Sequence, residues 1–91
     1  MKTRVETEFL VFTIESETGR TYQVDVSSKR GAYLGDIVFH APWRRYVFKP
    51  DCGSITIMDA KCLIALATYL GELMADRQTN PLHGRPDGRE P

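Results

Sequence analysis

Cysteine and tryptophan are scarce in this 91-residue chain, and neither sign of charge is in excess. The two cysteines, Cys52 and Cys62, stand ten apart, a spacing that matches no metal ribbon or redox pair and is too sparse for a disulfide scaffold. Twelve Lys and Arg balance twelve Asp and Glu, so the formal net charge is zero. A dedicated nucleic-acid binder usually carries a basic excess, because phosphate neutralisation supplies most of its affinity. An acidic mimic of DNA needs the opposite imbalance. Long hydrophobic runs are also missing: the apolar stretch near the N-terminus spans about six residues, too short for a signal peptide or a membrane span. The expected location is therefore cytoplasmic, with no membrane contact. No phosphate-binding glycine loop, paired-carboxylate motif or nucleophile elbow occurs. The sequence accordingly predicts no enzyme, no metal and no cofactor.

What is present is a series of short alternating segments. Residues 8–15, EFLVFTIE, place Leu10, Phe12 and Ile14 on one face of a strand and Phe9, Val11 and Thr13 on the other. SETGR (16–20) supplies a glycine turn. TYQVDVS (21–27) then points Tyr22, Val24 and Val26 inward and Gln23 and Asp25 outward, so the two runs read as an antiparallel hairpin. After the polar connection SSKRGAYLG (27–35), LGDIVFHA (34–41) reads as a third strand and WRRYVFK (43–49) as a fourth. Pro42 marks the break, since proline donates no ladder hydrogen bond. PDCGS (50–54) is turn chemistry again.

From Ile57 the apolar period lengthens. Leu63, Leu66, Ala67, Leu70 and Met74, with Leu73 alongside, form a helical stripe, and Lys61, Thr68 and Glu72 lie opposite. Thr56 and Asp59 resemble a capping box at its start, and the helix fades near Arg77. Gly71 costs such a helix about 1 kcal/mol relative to alanine, which close packing against the sheet would explain. Residues 78–91, rich in proline and glycine, form a polar tail expected to be disordered. The whole predicts one α+β domain over residues 1–77. Its architecture is ββββα, a four-stranded, mostly antiparallel sheet with one C-terminal helix packed on one face. The other face is left to solvent or to a partner.

The densest chemistry is APWRRYVFKP (41–50). Trp, Tyr and Arg dominate interface energetics, and aromatics interleaved with arginines also stack bases and hold phosphates. Strand alternation offers a plainer reading. Tyr46 and Phe48 then pack under the helix, while Trp43 shares the opposite face with Arg45, Val47 and Lys49. Lys29, Arg30 and His40 would enlarge a positive patch if they gather near Arg44 and Arg45, unless Asp25, Asp36 and Asp51 neutralise it. His40 with Asp36 on its face has no nucleophile at a recognisable spacing. Cys62 reads as a small core residue and Cys52 as a more exposed turn residue. A metal set drawn from Cys52, Cys62, His40 and His83 would require the tail and is not expected.

The run LGDIVFHAPWRRYVFKP followed by SITIMDAKCLIALATYL resembles a class of small uncharacterised proteins found in bacteriophage and bacterial genomes. The shared pattern is a Pro-Trp-Arg-x-Tyr-x-Phe-x-Pro strand followed by a C-terminal helix, carried here by Ile37, Pro42, Trp43, Arg44, Tyr46, Phe48, Pro50, Thr56, Ile57, Cys62 and Leu63. The resemblance implies a phage or mobile-element origin and transfers no activity. The functional expectation is a non-enzymatic binding module that docks a protein partner, or self-associates as a homodimer, through its uncovered sheet face or edge. The expected contact residues are Trp43, Arg44, Arg45, Lys49 and His40. The alternative is a nucleic-acid-binding accessory protein using the same patch.

Overall fold

The computed structural model describes residues 3–18, 21–51, 53, 57–81 and 83. Five strands pair in sequence order, each antiparallel to its neighbour: β1 (Arg4–Glu6), β2 (Leu10–Thr18), β3 (Thr21–Ser28), β4 (Tyr33–His40) and β5 (Arg45–Pro50). A single helix, α1 (Ala60–Thr79), packs on one face of this meander. The α+β class and the C-terminal helix agree with the sequence. The strand number does not, because the sequence predicts four. The extra strand holds one apolar residue, Val5, between Arg4 and Glu6, and three residues are too few to display alternation. It exists because β2 offers it a partner, with Val5 opposite Phe12.

The alternation of β2 and β3 builds the core as expected. Leu10, Phe12, Tyr22, Val24, Val26, Ile37 and Tyr46 point to the helix side and meet Leu66, Tyr69 and Leu73. The Phe12 and Tyr69 rings stack with centroids 4.3 Å apart and planes 3° from parallel. Each such large side chain taken from water contributes about 1.5–3 kcal/mol before the entropy of ordering it is subtracted. Gly35 lets β5 approach β4 closely: a Cβ there would land on the Lys49 carbonyl oxygen and lie 2.9 Å from Pro50 Cα.

The helix faces the sheet differently from the predicted stripe. Leu66, Tyr69 and Leu73 are buried, with Cys62, Ala65, Leu70 and Met74 partly buried beside them, whereas Leu63 and Ala67 point outward. The sequence is apolar on both sides of this helix, so periodicity alone cannot choose the face. The large Tyr69 ring, stacked on Phe12, decides it. Gly71 does not pack against the sheet either, since a Cβ at that position would meet nothing within 4 Å. The helix starts on Asp59, whose Oδ1 accepts the Cys62 N–H at 2.9 Å. That bond holds the Asp59 carboxyl below its ordinary range. Thr56, the other half of the predicted box, lies outside the described residues.

The C-terminal end also departs from expectation. The helix runs two residues past Arg77, to Thr79, and His83 is only 4% exposed although the sequence assigns it to the polar tail. Its Nδ1 stands 2.6 Å from Asp76 Oδ2 and its Nε2 2.6 Å from the Tyr46 hydroxyl, which in turn accepts the Tyr22 backbone N–H at 3.1 Å. Residues 84–91 of the predicted tail lie outside the described residues. No helix among the described residues is long and apolar enough to cross a membrane.

Candidate functional site

The predicted contact residues are split by the β4–β5 connection. Residues 41–43 do not begin a strand: Ala41–Trp43 form a 3-10 turn with Pro42 in its first positions. Arg44 closes it in the left-handed region at φ 54°, its N–H donating to the Ala41 carbonyl at 3.1 Å. Strand β5 therefore begins at Arg45, and Trp43 is not part of its pleat. From Arg45 onward the alternation holds, burying Tyr46 and half-burying Phe48 on the helix side.

Trp43 is 67% exposed. The half-buried His40 ring meets it edge-on, with centroids 4.8 Å apart, and His40 is also the cross-strand partner of Arg45. One end of the sheet therefore carries His40, Trp43, Arg44 and Arg45 together, with the three residues after His40 exposed. On the opposite, helix side of the sheet the Arg77 guanidinium lies 4.2 Å above the ring of Phe39, which meets Tyr46 edge-on. Local composition does not point to Arg77, because only the fold brings the last turn of α1 over Phe39 of β4.

Lys49 is not part of this cluster. It lies four residues along β5, about 13 Å from Arg45 at the usual strand rise, and pairs across the ladder with Asp36. Lys29 and Arg30 are further removed. They sit in the turn before β4, whereas His40 ends that eight-residue strand, so the length of the strand, about 23 Å, keeps these cations from gathering. Lys29 Nζ instead stands 3.4 Å from Glu6 Oε1. The open face of the sheet is polar and mixed in charge. A single cross-strand row reads Arg4, Thr13, Asp25, Asp36, Lys49. Hydrogen bonding to Asp25 and the negative charges of Asp25 and Asp36 raise the Glu15 carboxyl above its ordinary value. His40 and Asp36 share this face but stand four residues apart on one strand, too far for a hydrogen bond.

Tyr46, His83 and Asp76 form the one side-chain relay of acid, imidazole and hydroxyl among the described hydrogen bonds. One arrangement of protons that satisfies the three groups has Nδ1–H donating to Asp76 and Nε2 accepting the Tyr46 O–H. Burial raises the Tyr46 phenol above its ordinary value, despite the opposing hydrogen bond from Tyr22. A buried hydroxyl committed to His83, and already accepting a backbone N–H, is a structural clasp. Cys62 lies half-buried beside Asp59, its thiol pushed up by burial. Cys52 lies outside the described residues.

No protein-family model matches the chain, and no solved structure matches it. A protein of Acholeplasma phage L2, described as an uncharacterized 9.3 kDa protein, is 35% identical over 74 residues, covering 79% of this chain and 92% of that protein. The matched region takes in most of both chains, so the chain belongs to the family of that phage protein.

Proposed function

We propose that the chain is a small non-enzymatic binding module of phage or mobile-element origin that acts in the cytoplasm of its host. It docks a protein partner through the Trp43 end of its sheet. The observation that carries this reading is the exposure of Trp43. A large aromatic held out of the core by a proline-led turn and braced by His40 is a ready anchor for a partner's pocket. Arg44 and Arg45 follow it directly in the chain and are exposed, so the matching surface is acidic. The adjacent β5 is an edge strand, whose outer backbone groups offer a second point of attachment. Kinship with a phage protein supports the origin, and the internally satisfied Tyr46–His83–Asp76 relay supports a structural role for the polar groups that look most like a catalytic set.

The test is the double variant Trp43→Ala, Arg45→Ala, with its fold checked by circular dichroism. Affinity capture from host lysate should lose a specific protein that the wild-type chain retains; equal capture by both would place the contact elsewhere. Labelled single-stranded and duplex DNA serve as the competing arm. Binding that falls steeply with salt and vanishes in the same variant would replace a protein partner with a nucleic acid.

A further inference from the structure

The outward side of α1 lacks the charges that a solvent-facing helix normally carries. At 100° per residue, the line pointing directly away from the buried Leu66, Tyr69 and Leu73 reaches the polar Gln78 in the last turn and before that runs through Ala60, Ile64, Ala67, Gly71 and Ala75. All five are exposed, and Ile64 is 65% exposed. One shoulder of this line is apolar, with Leu63 at 53% exposure beside the partly buried Leu70 and Met74. The other shoulder carries Lys61, Thr68 and Glu72. Gly71 lies on the outward line, and a Cβ there would meet nothing within 4 Å among the described residues, so packing against them does not require a glycine.

We infer that this face is the interface of an antiparallel homodimer, in which α1 of one copy lies against α1 of a second. Self-complementarity in a single register selects a second copy as the occupant. When the two-fold axis passes between residues 67 and 68, Ile64 of each copy lies opposite Gly71 of the other, filling the notch that the missing Cβ leaves. The axis keeps each shoulder on its own side while reversing its direction. Leu63 then meets Leu70 and Met74 of the second copy, and Lys61 meets Glu72, each pairing occurring twice. Among the described residues the Lys61 ammonium has a loose exposed neighbour, Glu8 at 3.9 Å. The face is one helix long, about 30 Å, which is modest beside a standard interface of about 800 Å² per partner. A small interface of this kind is expected to associate weakly and with a clear dependence on concentration. The dimer leaves the Trp43 end uncovered and does not depend on what that end binds, so two docking ends are presented per assembly.

Sedimentation equilibrium of the full chain over about 1–200 µM tests this. The wild-type chain should shift with concentration from 10.3 kDa toward twice that mass. Ile64→Glu should remain monomeric throughout with an unchanged circular dichroism spectrum. Gly71→Leu, whose Cβ would meet nothing within 4 Å among the described residues, should fold and raise the dimer dissociation constant at least tenfold. Lys61→Glu should weaken association, and Lys61→Glu combined with Glu72→Lys should restore it. A wild-type chain that stays at 10.3 kDa up to 200 µM overturns the proposal. So does a folded Ile64→Glu variant that still dimerises, or a charge swap that fails to restore association. DNA or lysate binding by the Trp43 end is unaffected by any of these outcomes, so the two readings fail separately.

Discussion

His83 Nε2 and the Tyr46 hydroxyl stand 2.6 Å apart although 37 residues separate them in sequence, and both are buried. With Asp76 on the other ring nitrogen, this pair fastens the residues after α1 to the last strand of the sheet. It places a polar side chain where the amino-acid pattern suggests none.

His83→Ala should destabilise the fold by about 1–3 kcal/mol, because it leaves the Tyr46 hydroxyl and Asp76 without their partner. Tyr46→Phe, which also removes the hydroxyl that accepts the Tyr22 N–H, should cost a similar amount. Urea unfolding at pH 7 measures both. A midpoint unchanged in both variants would mean that the clasp contributes nothing.

The Tyr69 hydroxyl is buried and has no hydrogen-bond partner among the described residues, and burial pushes its phenol up to about 12. Tyr69→Phe removes an unsatisfied polar atom while keeping the stack on Phe12, so stability at neutral pH should rise by about 1 kcal/mol. The same shift sets an alkaline limit. A folded-state value raised above the ordinary 10 contributes stability that is complete below pH 10 and lost as pH climbs toward 12. Thermal melts between pH 9 and 12 should show a shallower decline for Tyr69→Phe than for the wild-type chain.

Asp59 behaves in the opposite sense. The Cys62 N–H holds its carboxyl below the ordinary 3.8, so its contribution is present above that value and fades as pH falls through the lowered one. Asp59→Asn keeps a capping oxygen that does not titrate, and helix content below pH 4 should be less acid-sensitive in that variant. Identical acid titration curves by circular dichroism would contradict the cap.

Gly35→Ala should cost about 1–3 kcal/mol, because the added methyl collides with the backbone of β5 rather than with a side chain that can move. The loss should appear as a lower melting temperature. A variant with wild-type stability would mean that β4 and β5 are not held as closely as Gly35 permits.

Much of the sheet was readable in advance. Tyr22, Val24 and Val26 alternate without interruption, and a hydrophobic period of two determines which face they take. β1 was hidden because Val5 between two charges carries no period at all. The helix was legible as an element but not in its orientation. Leu63 and Ala67 are as apolar as Leu66 and Leu73, and burying one set leaves the other exposed. At the Trp43 end, the residue types were visible in the sequence, and so was the fate of Tyr46 and Phe48. Their grouping was not. Whether Lys49, Lys29 or Arg77 stands near Arg45 depends on strand direction and on where the helix ends, and neither is written in local composition. His83 was missed for the same reason, since its partners Tyr46 and Asp76 become neighbours only in the folded chain.

The most direct test of the docking site is a photo-crosslinking amino acid placed at position 43 in the full chain and activated in the native host cell. Gln23, exposed on the open face of the sheet, is the control position. A discrete protein adduct from position 43 that is absent from position 23 is the predicted result. No protein adduct from position 43, or the same adducts from both positions, would contradict a docking site at the Trp43 end.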